Sequence, residues 1–152
     1  MPDLHLKIGF IGAGNMGQAM IGALIASGCC AGSDIFVCDV IKNQTDRLKA
    51  TYNISVSAEN KKLVEICDVI IFAVKPQSIV SVLSDLKENN AFLPVNRKKI
   101  FISIAAGIPI KTFESYIYDG KDASRKKRSS PPRPSVSTSR GPATATRGVV
   151  WS

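Results

Sequence analysis

Three glycines, Gly12, Gly14 and Gly17, stand in the spacing G-x-G-x-x-G, a pattern that lets a chain bring its own backbone against a pyrophosphate. The first glycine permits a tight bend, the second admits the phosphates to the main chain, and the third lets the following helix pack on the preceding strand. Amides left free at the helix start then face the phosphates, with the positive end of the helix dipole behind them. The segment Ile11, Gly12, Ala13, Gly14, Asn15, Met16 and Gly17 is therefore the first candidate cofactor-binding element. The motif alone also describes turns that bind nothing; it gains meaning only between a strand and a helix.

Asp39 follows Gly17 by 22 residues, about where a carboxylate accepts hydrogen bonds from an adenosine ribose. It suits equally well the capping of a turn. As a ribose ligand it points to NAD, because a phosphate on that ribose would meet a like charge, an effect that Lys42 or Arg47 would partly offset. Ala73, Val74, Lys75 and Pro76 stand where an apolar run ends, so that their backbone can line the nicotinamide side, although the Lys75 side chain equally suits a solvated position. Ile104, Ala105 and Ala106, inside the small-residue stretch Ser103 to Gly107, leave room for a planar ring or serve packing alone. Asn60 opens a helix near the expected adenosine end, where its amide reaches either the nucleotide or water.

No residue is assigned a catalytic role. A metal site is not expected either: Cys29, Cys30, Cys38 and Cys67 show no C-x-x-C spacing, and His5 is the single histidine. Cys29 and Cys30, after a helix end at Gly28 and with no cation beside them in the sequence, read as partly buried, unreactive thiols.

These candidates need elements to hold them. Leu6 to Ile11 reads as a short buried strand, and after the glycines the pairs Met20, Leu24 and Ile21, Ile25 repeat at helical spacing. Asp34 to Asp39 is a second strand, Lys42 to Tyr52 a helix, and Ile54 to Val56 a brief third strand. Ser57 is placed to cap a helix through Glu59 to Ile66. Asp68 to Val74 is almost entirely apolar, as befits a central strand covered on both faces. Pro76 starts another helix, where its missing N–H costs nothing. Lys99 to Ile104 is a fifth strand, and Pro109 opens the last helix. This alternation predicts an α/β fold, a Rossmann-like doubly wound parallel sheet of order 3-2-1-4-5, with the ligand at the carboxyl ends of the first and fourth strands.

Charge divides the chain in two. Residues 1–120 hold 12 basic and 11 acidic residues, whereas residues 121–152 hold eight basic residues and one acid, Asp122. The formal charge of +8 thus belongs to the tail, and nucleic acid is not an expected partner of the domain. The reading assigns residues 1–119 to an NAD(P)-binding domain and 120–152 to a basic, Ser/Pro/Arg-rich disordered tail. Within that tail the RKKR run at 125–128 has the composition of a polyanion-binding or nuclear-import patch, and PPRP at 131–134 that of an extended proline helix; a solvated end without a partner is the expectation for both. No apolar run approaches the roughly 18 residues a membrane span needs, so a reducing, cytoplasmic location is expected.

The segments IGFIGAGNMGQAMIGALIASG, DVIIFAVKPQ and ISIAAGIPI, in this order, resemble the N-terminal domain of pyrroline-5-carboxylate reductase over roughly residues 6–118. The first segment is shared more loosely with hydroxyacid and prephenate dehydrogenases, whereas AVKPQ followed by SIAAGI is particular to the reductase. The resemblance implies hydride transfer from NADPH or NADH to the C=N bond of 1-pyrroline-5-carboxylate, giving proline. It places nucleotide contacts on Ile11 to Met16, Asp39, Asn60, Ala73 to Pro76 and Ile104 to Ala106. Family members often prefer NADPH and carry a small hydroxyl residue where this chain has Asp39, which leaves NADP and NAD both open. After Tyr118 the family would continue with another strand, an M-P-N-T-P-like loop and a helical domain that forms the dimer and holds the imine. None of these is found in residues 119–152, so the resemblance implies a chain that binds nucleotide, turns over little substrate, does not dimerise through that domain, and leaves its fifth strand as an uncovered edge. The rival expectations are a non-catalytic nucleotide-binding interaction protein and another dehydrogenase of the hydroxyacid type.

Overall fold

A computed structural model describes residues 5–92 and 99–118; the tail assigned above, with its RKKR and PPRP runs, lies outside the described residues. Ten elements alternate: β1 (Ile8–Ile11), α1 (Asn15–Ala26), β2 (Ile35–Cys38), α2 (Lys42–Tyr52), β3 (Ser55–Val56), α3 (Asn60–Ile66), β4 (Val69–Phe72), α4 (Pro76–Glu88), β5 (Ile100–Ser103) and α5 (Ile110–Ile117). The strands form one parallel sheet of order β3-β2-β1-β4-β5. Ile11 stands in register with Cys38 on one side and Phe72 on the other, so the ends of β1, β2 and β4 are level.

Each helix is explained by which of its faces is apolar. On α4, Ile79, Leu83 and Leu86 recur at helical spacing and are fully buried, and Pro76 occupies the first helical position. Helix α1 buries Ile21, with Met20, Leu24 and Ile25 packed on the same cluster. It ends in a Schellman motif in which Cys29 N–H donates to the Leu24 carbonyl (3.1 Å) and Gly28 N–H to that of Ile25 (3.0 Å). The motif needs a left-handed residue, and Gly28 supplies it at φ 71°. Asn53, at φ 54°, does the same for α2.

The sheet separates two apolar clusters. Phe10, Ile35, Val37 and Ile71 belong to one; Ile70, Phe72, Leu83 and Phe113 belong to the other. Phe72 packs on Phe113 with ring centroids 5.4 Å apart and on Phe101 at 6.3 Å, contacts worth about 0.5–1.5 kcal/mol each beyond the area they bury. Among the described residues, β5 pairs with β4 alone, and its Ile100 and Ile102 are exposed. No helix among the described residues is long and apolar enough to cross a membrane.

The elements differ from the sequence reading mainly at their ends. Helix α1 begins at Asn15, inside the glycine motif, because Gly14 already has the extended backbone of an N-cap. Ser57 does not cap α3: the residue before that helix is Glu59, and the Ser57 hydroxyl instead donates to the Glu59 carbonyl (3.0 Å) and accepts from the Glu59 N–H (3.3 Å). A short polar side chain that close to its own backbone closes a local turn before it reaches the helix amides.

Candidate functional site

The glycine loop is held by the end of β4. Gly12 adopts φ +101°, and a Cβ there would lie 2.8 Å from the Ala73 backbone and from Val74; only glycine fits, on both conformational and steric grounds. A Cβ on Gly17 would stand 3.1 Å from the Gly12 carbonyl oxygen and 3.3 Å from the Ala73 Cβ, which is how the helix comes close to the strand. Gly14 is the opposite case, with nothing within 4 Å of a Cβ added there. The space above Gly14 is open, and no side chain caps the amides that begin α1. An open concavity at the N-terminus of a 12-residue helix fits a pyrophosphate. Ala13 is fully buried and offers the site only its backbone, while Asn15 and Met16 are exposed beside the opening.

Asp39 joins this loop to the end of β2. Its Oδ2 accepts from the Ala13 N–H (2.5 Å) and its Oδ1 from the Ile41 N–H (2.8 Å), so the turn-capping role is realised. A carboxylate has about four acceptor positions; two are used here, and two remain for a ligand. Gln18, absent from the sequence-based candidates, donates from Nε2 to the Ala13 carbonyl at 2.7 Å. Both polar groups of the Ala13 backbone are thus held by side chains from different elements.

Ile11, Gly12, Asp39, Asn60 and Val74 all line one open groove of about 890 Å³. From α4 it also receives Ser78, Ser81 and Asp85, from the residue that ends that helix Asn89, and from the turn before α3 Glu59. These were not singled out in the sequence. Their signal was the spacing 78, 81, 85, 89, a polar stripe on α4 beside the buried stripe of Ile79, Leu83 and Leu86. The groove wall carries negative charge: Cys38 lies in it, and burial pushes its thiol above the usual range, with Asp39, Asp85 and Glu59 adding to the effect.

The remaining candidates lie elsewhere. Lys75 is the exposed residue before α4 and Pro76 its first residue. Ala73 backs the glycine loop from below. Ile104 N–H continues the β4 pairing by donating to the Phe72 carbonyl at 3.2 Å. Ala105 lines a separate apolar hollow of about 240 Å³ with Phe72, Phe101 and Phe113, in line with the packing role, and Ala106 is exposed.

The family described as NADP oxidoreductase coenzyme F420-dependent matches residues 7–107, a stretch that contains the whole sheet, the glycine loop and the groove. The chain belongs to this NADP oxidoreductase family. Among relatives, the pyrroline-5-carboxylate reductase of Methanosarcina acetivorans is 41% identical over 114 residues, covering 75% of this chain and 40% of that protein. That of Escherichia coli is 36% identical over 107 residues, 70% of this chain and 38% of the relative. A solved pyrroline-5-carboxylate reductase from Coxiella burnetii superposes with a TM-score of 0.67 at 28% identity, over 77% of this chain and 41% of that one. The Plasmodium falciparum pyrroline carboxylate reductase, solved with NADP bound, gives 0.58 at 27% identity over 74% and 38%. The likeness read from AVKPQ and SIAAGI is thus a relationship to pyrroline-5-carboxylate reductases, and the chain spans about 40% of the length of the curated relatives it matches.

Proposed function

We propose that this chain supplies the nucleotide-binding half of a pyrroline-5-carboxylate reductase. The observation that carries the reading is the glycine loop, closed from below at Gly12, open above Gly14, and continuous at Gly12 with a groove reaching Asp39 and Asn60. Gly12 to Gly17 would hold the pyrophosphate on the free amides of α1, Asp39 would accept from ribose hydroxyls, and Asn60 would lie at the adenosine end. Val74, Lys75 and Pro76 at the end of β4, with Ile104 to Ala106 after β5, would border the nicotinamide. When bound, the reduced nicotinamide supplies the hydride for the C=N bond of 1-pyrroline-5-carboxylate.

Holding an imine against that ring in reacting geometry requires further groups, and no residue described here is assigned to it. The 152-residue chain is therefore expected to bind NADPH or NADH and to form little proline by itself. Its four free cysteines suit a reducing compartment such as the cytoplasm. Calorimetric titration with NADPH and NADH tests the reading. Saturable binding of either supports it; a folded chain that binds neither, or one that forms proline at the rate of a full-length reductase, overturns it.

A further inference from the structure

Resting on that nucleotide-binding reading, we infer that the groove selects NADH over NADPH, with Asp39 as the specificity-determining residue and Glu59 and Asp85 as supporting negative charges. The description of the family as NADP oxidoreductases would suggest the reverse. Three observations carry the inference.

Asp39 is fixed in place. Backbone N–H groups of Ala13 and Ile41 hold its two oxygens, so moving it aside for a phosphate would break two hydrogen bonds and leave both donors without their acceptor. In place, it keeps acceptor capacity for ribose hydroxyls, which donate, and none for a phosphate, which only accepts.

The turn after Asp39 offers a phosphate no side-chain donor. Val40 and Ile41 follow, 97% and 50% exposed, and the Ile41 N–H is already taken by Asp39. Lys42 and Arg47 lie along α2 outside the lining of the groove.

Other lining residues add like charge. Glu59 and Asp85 line the same groove as Asp39. The lining cation, Lys61, has the Glu65 carboxylate 3.8 Å away on the next turn of α3. A 2′-phosphate would bring about two further negative charges into this field.

The test is titration of the full 152-residue chain with NADH and, separately, NADPH at about 0.15 M salt. NADH is expected to bind about tenfold more tightly or better. Asp39→Ser should bring the two affinities together or invert them, chiefly by improving NADPH. Raising the salt should narrow the gap in the unaltered chain, because it screens repulsion; attraction of NADPH to the basic residues 121–152 would weaken with salt and so widen it. Should Asp39→Ser fail to fold, the surface double variant E59Q/D85N carries the test, with a several-fold relative gain for NADPH expected. NADPH binding as tightly as NADH, or a ratio unmoved in the folded variants, overturns the inference and leaves the proposed function standing. A folded chain that binds neither nucleotide overturns both.

Discussion

Strands β4 and β5 are neighbours of similar composition, Val-Ile-Ile-Phe against Ile-Phe-Ile-Ser, and they meet solvent in opposite ways. All four residues of β4 are buried, whereas three of the four in β5 are exposed. In sequence both are short apolar runs. The difference is positional: β4 lies between β1 and β5, while β5 has a single partner among the described residues. The end of β4 also backs the glycine loop, so the strand that is buried best is the one on which the site rests. Burial follows a strand's neighbours as much as its own residues, and a precisely shaped site is built where the neighbours are complete.

The largest expected effect is at that junction. Gly12→Val would force a branched side chain into a positive φ and against Ala73, for a loss of roughly 3 kcal/mol or more in denaturant unfolding. Nucleotide binding should be lost with it. Gly14→Ala separates the two roles of the loop: with open space around the added Cβ, stability should hold within about 0.5 kcal/mol, while affinity falls as the methyl meets the ligand. Equal stability losses at both glycines would break the account of the loop.

Next come the phenylalanines. Phe72→Ala on β4 should cost about 3–5 kcal/mol, and Phe101→Ala, at the half-buried residue of β5, about 1–3 kcal/mol. Matching losses would show that β5 is as well covered as β4.

A pH series sharpens the contrast at the start of β4. The Cys67 thiol is fully buried, and desolvation pushes its pKa up to about 12, although Lys99 opposes the shift. The unfolded chain therefore releases this proton at lower pH than the folded one. The stabilisation is complete below the ordinary thiol value of 9.0 and is lost as pH rises towards 12; Cys67→Ala should flatten that decline. Cys29 is exposed, not partly buried as its place after the helix end suggested, so with a thiol reagent at neutral pH it should react first and Cys67 only on unfolding.

The smallest effect is expected at the edge. Ile102→Lys should change stability by no more than about 0.5 kcal/mol, yet reduce self-association in light scattering, since a charge on an exposed strand discourages edge pairing. Unchanged association would mean that this edge is not what brings molecules together.

Much of this fold was legible in the residues. Apolar runs of four to six residues marked every strand but the brief β3, Pro76 and the stripe of Ile79, Leu83 and Leu86 marked α4, and the alternation of strand and helix led to the order 3-2-1-4-5. Those features are set by local backbone geometry and by which side chains avoid water, so they are encoded in spacing. Gly12, Gly14 and Gly17 were readable for the same reason. The sequence left Asp39 with two roles; the structure realises the cap and keeps acceptor positions for the other, because two backbone amides arrive from separate turns. The sequence could not place Glu59 and Asp85, 20 and 46 residues further along the chain, in one groove with Asp39. Nor did it show that Ser57 would turn back on Glu59, whereas the order 3-2-1-4-5 had already placed β5 at the edge of the sheet. Which charges share a groove depends on how distant segments pack, and only the assembled sheet brings those segments together.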